Sequence, residues 1–225
     1  MMGLDAVLKI GGSLSRGEGL AALCQAIGQL GQTYRLLVVP GGGAFADAVR
    51  EADRRYHLSA TTAHRMALLA MDQYGCLLGD LMPGGRLATD LLSAQQVAAA
   101  GQVPILLPAA LLIQADPLPH SWEVTSDTIA AWVAGLARAP RLVLLKDVDG
   151  LFPAPPAPGS GAALLTRLSV KELARHQGGV DGTLATVLAS LRLDTWVING
   201  RYPERLAELL TSGRTLGTRI PAVLS

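Results

Sequence analysis

Five short apolar runs, at residues 7–10, 36–39, 103–107, 142–146 and 195–198, constrain this chain more than any other feature. Each is too short for a helix and lacks the alternation of a half-solvated strand, so each reads as a strand covered on both faces. The segments between them carry helical spacing. Residues 18–30 place Leu20, Leu23, Cys24, Ile27 and Leu30 on one face, and residues 44–56 place Phe45, Ala48, Val49 and Ala52 inward. A further helix runs from a cap at Ser59 or Thr61 to Leu78, and Pro83-Gly84-Gly85 breaks the chain. Shorter helices fit residues 93–100, 170–176, 182–191 and 203–210, the last with Pro203 in its first turn. Another is capped by Thr125 or Ser126 and runs to Leu136, with Asp127 in its first turn. Such alternation of helices and buried strands is the signature of an α/β fold with a mostly parallel sheet. Residues 103–107 read as a third central strand despite Pro104, a residue that central strands disfavour. Leu164-Leu165 reads as a minor strand, and residues 216–220 close a sheet edge. With no internal repeat and no composition break, residues 1–225 read as one domain.

Composition narrows the function. Half of the 225 residues are hydrophobic but only 4% are aromatic, and the formal net charge is +1. Neither a basic footprint for nucleic acid nor an aromatic set for base stacking is present, and nothing suggests a membrane surface. Residues 91–115 carry one charge-free stretch, yet Gly101, Pro104 and Pro108 interrupt it, which suits a strand with flanking helices rather than a span. No basic stretch followed by an apolar one opens the chain, so a cytoplasmic protein is expected, with Cys24 and Cys76 as reduced core thiols. His57, His64, His120 and His176 show no metal-ligand spacing, so no protein-held metal is expected. No Gly-x-Ser-x-Gly elbow occurs.

The chemistry gathers where strands end. Lys9-Ile10-Gly11-Gly12-Ser13 closes the first strand with a mobile positive charge and a glycine turn, and a helix is expected to begin between residues 16 and 19. Backbone N–H groups in such a turn ring phosphate oxygens, and the helix N-terminus adds positive potential. The pattern is not a Walker P-loop. Pro40-Gly41-Gly42-Gly43 repeats the device after the second strand. With Ala46 it also matches the dinucleotide pattern Gly-x-Gly-x-x-Ala, but that reading needs an acidic strand end about twenty residues on. Residues 59–69 read instead as helix. Asp147-Val148-Asp149-Gly150 turns out of the fourth strand, and Pro153 opens a proline- and glycine-rich stretch that is either a lid or a connection. Asp127 is either a helix N-terminal charge or the partner that aims Lys9 at a phosphate.

Taken together, Lys9-Ile10-Gly11-Gly12-Ser13, Pro40-Gly41-Gly42-Gly43, Thr125-Ser126-Asp127 and Asp147-Val148-Asp149-Gly150-Leu151 resemble the amino acid kinase superfamily from end to end. The resemblance implies a three-layer α/β/α sandwich that transfers the γ-phosphoryl group of ATP to a carboxylate or phosphate, with Mg²⁺ as cofactor. It implies that Lys9, Gly11, Gly12 and Ser13 hold ATP phosphates, that Gly41, Gly42 and Gly43 face the acceptor, and that Asp127 organises Lys9. Lys146, Asp147, Asp149, Gly150, Leu151, Asp181 and Thr183 would line the nucleotide site. Homo-oligomers are usual in the family.

A narrower likeness lies in residues 121–127, in Lys146-Asp147-Val148-Asp149-Gly150 and in residues 197–205. These resemble the branch that phosphorylates [5-(aminomethyl)furan-3-yl]methyl phosphate in methanofuran-type cofactor biosynthesis, a part of one-carbon metabolism. Two positions depart from the wider pattern. Where many members carry Gly-Gly-Met-x-x-Lys, this chain reads Gly178-Gly179-Val180-Asp181-Gly182-Thr183, so the second catalytic lysine is missing. Lys146 stands where many members place a threonine or serine, and it is the expected source of the lost charge. An aminomethyl acceptor also needs a carboxylate or an aromatic face, for which Asp47, Asp72, Glu123 and Trp122 are candidates. Other readings are a kinase for isopentenyl phosphate or a carboxylate, and a nucleotide-binding storage or regulatory protein.

Overall fold

The computed structural model describes residues 3–153 and 163–222. Among them one sheet is built from β1 (Ala6–Ile10), β2 (Leu36–Pro40), β3 (Gly85–Ala88), β4 (Val103–Leu106), β5 (Arg141–Lys146), β6 (Asp194–Asn199) and β7 (Thr218–Ile220). The strand order is β3-β4-β2-β1-β5-β6-β7, parallel throughout except for the antiparallel edge strand β7. The connecting helices are α1 (Leu20–Leu30), α2 (Gly43–Tyr56), α3 (Ala60–Leu81), α4 (Leu91–Ala99), α5 (Pro108–Ala115), α6 (Ser126–Leu136), α7 (Val170–Leu173), α8 (Leu184–Ala189) and α9 (Pro203–Ser212). The result is a three-layer α/β/α sandwich.

The period-two geometry of the strands sorts each run between two cores. Leu8, Ile10, Leu36, Val38, Val143 and Leu145 pack with Leu23 and Ile27 of α1, Tyr74 and Leu78 of α3, and Leu206 and Leu209 of α9. On the opposite face Val7, Leu37, Val39, Leu142 and Leu144 pack with Ile129 and Val133 of α6 and Leu188 of α8. This parity has a functional consequence. Lys9 follows Val7 and Lys146 follows Leu144 on their strands, so both lysines belong to the α6 face.

Several expectations need correction. The inward face of α2 is Ala46 and Val49, whereas Phe45 and Ala48 are exposed. Cys24 is buried as expected, and burial pushes its thiol pKa up to about 11, but Cys76 is exposed. β3 was not anticipated, because Arg86 and Leu87 of this edge strand face solvent and leave no apolar run. Pro104 does lie within β4, where the register to β2 reaches only Val38 with Ile105, so little of that ladder depends on the missing N–H. The dinucleotide reading fails, since α2 passes into α3 with no strand between them. Leu165 forms a lone antiparallel bridge with Leu151. Beyond Pro153, residues 154–162 of the proline- and glycine-rich stretch lie outside the described residues.

Candidate active site

β1 and β2 end side by side, and their glycine turns interlock. A Cβ on Gly12 would stand 2.3 Å from the Gly43 nitrogen, and one on Gly41 would stand 2.8 Å from the Gly12 nitrogen. Gly43 also has φ +55, a left-handed conformation costly for a residue with a side chain. Gly41 therefore serves this backbone contact, while Gly11, Gly12, Gly42 and Gly43 border a cavity of about 870 Å³. From Gly12 the chain enters a short 3₁₀ turn, Gly12–Arg16, and α1 begins at Leu20, later than expected.

Lys9 and Lys146 reach the same cavity wall. Lys9 is 4% exposed and is not the mobile charge its sequence context suggested. Its Nζ stands 2.8 Å from Asp127 Oδ1, an ion contact outside hydrogen-bond geometry, and Lys146 Nζ donates to Asp127 Oδ2 at 2.7 Å. One buried carboxylate thus gathers both ammonium groups. Burial alone would raise the Asp127 pKa, but the Lys9 and Lys146 charges overrule it and hold the carboxyl down at about 2. For Lys9 burial wins: it lowers the ammonium pKa below the usual lysine value, with Lys146 adding to the fall and Asp127 opposing it. The two shifts pull in opposite senses: the lysine charges keep Asp127 ionised, while burial works against the charge on Lys9.

Asp127 is placed by its own helix end. Thr125 caps α6, its hydroxyl accepting from the Asp127 N–H at 3.3 Å. Behind this turn stands Asp181, whose carboxylate accepts from the N–H and hydroxyl of Thr125, Thr128 and Thr183 and from the N–H of Leu184. The assignment of Asp181 and Thr183 to the nucleotide therefore changes. They join the N-termini of α6 and α8, and neither lines the cavity. Leu151 is core, its N–H donating to Thr218 Oγ1 at 2.8 Å, and Gly150 packs against the same hydroxyl. Asp149 is paired with Arg205 at 2.5 Å and accepts from Asn199 Nδ2, contacts that lower its carboxyl pKa. Asp147 borders the cavity, where Ser13 Oγ donates to it at 2.8 Å.

At the far wall the acceptor candidates separate. Asp47 borders the cavity but is held by Arg16 and Arg50. Trp122 donates its Nε1–H to Asp53 Oδ2 at 2.7 Å, and the Arg50 guanidinium covers its ring at 4.9 Å. Glu123 borders the cavity with an exposed side chain. Asp72 is excluded, because its Oδ1 accepts the Ala109 N–H at the start of α5, away from the cavity; burial raises its pKa. Asp53 was missed, although it follows Ala46 and Val49 along the buried face of α2. An acid on an otherwise apolar helical face was the available signal.

The arrangement presents two ammonium groups, a glycine turn and two arginines to one cavity, which suits phosphate oxygens. The model of the amino acid kinase family matches residues 6–193. The chain is 28% identical over 220 residues to the [5-(aminomethyl)furan-3-yl]methyl phosphate kinase of Methanocaldococcus jannaschii, covering 96% of this chain and 98% of that one. It is 24% identical over 227 residues to the uridylate kinase of Methanothrix thermoacetophila, covering 95% and 98%. In fold it resembles the crystal structure of uridylate kinase from Archaeoglobus fulgidus, with a TM-score of 0.77 and 23% identity over 96% of this chain and 100% of that one.

Proposed function

The chain belongs to the amino acid kinase family, and on that premise we propose that it phosphorylates [5-(aminomethyl)furan-3-yl]methyl phosphate to the diphosphate. ATP-dependent phosphoryl transfer is the family's chemistry. The observation that carries the reading is the gathering of Lys9 and Lys146 on the buried Asp127 beside a glycine turn. The full-length likeness to the archaeal furan phosphate kinase supports the choice of acceptor.

The reaction needs little from the protein beyond placement and charge. A phosphate monoester has a second pKa near 6, so at neutral pH it is largely a dianion and attacks without a general base. One of its oxygens forms the new bond to the γ-phosphorus as the bond to the ADP oxygen breaks. Lys9 and Lys146 each carry donors beyond those turned to Asp127, and these neutralise the oxygens of the meeting anions. Lys146 stands in for the lysine that the Gly178-Gly179 segment lacks. Mg²⁺ bound to the ATP phosphates would neutralise part of their charge, and Asp147, whose carboxylate borders the cavity, would be a residue to hold it, since Asp127 is spent on the lysines. Asp149, held by Arg205 and Asn199, and Gly150 do not border the cavity, so in this proposal they shape the turn that presents Asp147. At the acceptor end, Asp53 and Glu123 offer negative charge to an aminomethyl group.

ADP release from MgATP tests the reading, with the furan phosphate beside isopentenyl phosphate, uridylate, aspartate and acetylglutamate, and mass detection of the product. Turnover with the furan phosphate alone is the expected result. Turnover only with another acceptor would overturn the substrate assignment while keeping the kinase.

A further inference from the structure

The sequence gives its histidines no metal-binding spacing, yet the fold brings two of them together. His64, in the second turn of α3, stacks on His120 with ring centroids 4.4 Å apart and planes 18° apart. Asp116 lies beside them at the end of α5, and ligand atoms of the three residues all fall within 4.8 Å of one another. Both histidines border the cavity that holds Lys9 and Lys146. We propose that His64, Asp116 and His120 form a binding site for one divalent transition ion of the zinc class.

The hydrogen bonds around His120 support this. Thr61 Oγ1 lies 3.0 Å from Nδ1, and Asp116 Oδ1 lies 2.8 Å from Nε2. A ligating histidine is usually oriented by a hydrogen bond from its other ring nitrogen, and Thr61 is placed to accept one from Nδ1. Without an ion the 2.8 Å separation fits an Nε2–H donating to Asp116 Oδ1; a bound cation would take the place of that proton, with Thr61 accepting from Nδ1–H. Among the described residues no hydrogen bond reaches the ring nitrogens of His64, so this imidazole has a nitrogen to offer.

Two imidazoles and one carboxylate are a donor set that zinc accepts with water in the fourth position. Tetrahedral ligands at about 2.0–2.1 Å from zinc stand roughly 3.3 Å apart, so on binding the His120–Asp116 pair, now 2.8 Å apart, opens slightly while the wider separations within the 4.8 Å cluster close. The exposed side chain of Asp116 has solvent to move through. The ion would tie α3 to the segment carrying Trp122 and Glu123, and so fix the acceptor wall of the cavity.

The test uses the full chain, stripped with chelator and titrated calorimetrically with Zn²⁺, with Co²⁺ as a spectroscopic probe, in the absence of ATP and acceptor. Its outcome is therefore separate from that of the kinase assignment. One ion per chain with micromolar or tighter affinity is expected, with Co²⁺ ligand-field bands and no thiolate charge-transfer band. His64→Gln and Asp116→Asn should each weaken binding by at least about tenfold. Asn suits the left-handed backbone at position 116 (φ 44), so this second variant keeps the fold. His176→Gln and Cys76→Ser should bind as the parent does. Absence of binding at micromolar Zn²⁺, affinity unchanged in both ligand variants, or loss of binding in Cys76→Ser would overturn the proposal.

Discussion

At the scale of the residue, the site rests on one buried carboxylate that gathers two lysines. Asp127 has a folded pKa of about 2, below the 3.8 of a free aspartate side chain. Its contribution to stability is present above pH 3.8 and disappears as pH falls through 2, well below any working range. Lys9 behaves oppositely. Its folded pKa lies below the 10.5 of a free lysine side chain, so between the two values the unfolded chain holds the extra proton. Stability from this group therefore rises with pH across that window, while activity falls as the ammonium is lost. Expected in kcat/KM is an alkaline limb below pH 10.5 that moves upward in Lys9→Arg, whose guanidinium keeps its proton. A rate flat to pH 10.5, or a limb unmoved in the arginine variant, would count against a catalytic ammonium at position 9.

At the scale of the element, α6 delivers Asp127, and Asp181 fixes where α6 begins. Its carboxylate accepts from seven N–H and O–H groups at the starts of α6 and α8. Asp181→Asn replaces one acceptor oxygen by a donor and removes the charge, at a cost of about 1–3 kcal/mol. Denaturant unfolding should show that loss, with kcat falling as Asp127 shifts. Wild-type stability and turnover in this variant would remove the clamp from the account. The sequence displayed the strands because burial on both faces writes continuous apolar runs, as in β1 and β5. The half-solvated β3 left no such mark. Lys9, Lys146 and Asp127 were legible as strand-end and helix-start residues, whereas Asp181 was legible only as a departure from Gly-Gly-Met-x-x-Lys. Its partners lie up to 56 positions away, and no local spacing encodes contacts of that range. The same limit concealed Asp53 with Trp122 and the His64–His120 stack.

At the scale of the whole molecule, β1 and β5 are neighbours at the centre of the sheet, although residues 11–140 lie between them in the chain. Register pairs Lys9 with Leu144, and strand parity turns Lys9 and Lys146 to the face that α6 covers. Two charges distant in sequence are thereby brought to one carboxylate at the mouth of one cavity. In our proposal Lys146 thereby supplies the charge of the lysine that many members of the family carry after Gly-Gly-Met. The direct test is the steady-state rate of Lys146→Met with saturating MgATP and the acceptor that turns over, beside its ATP affinity measured by calorimetry. Loss of one preorganised charge at the transferring group should lower kcat about 10²–10³-fold, with a smaller change in ATP affinity. A Lys146→Met protein that turns over at the parent rate would contradict the account, because the second positive charge would then have to come from elsewhere.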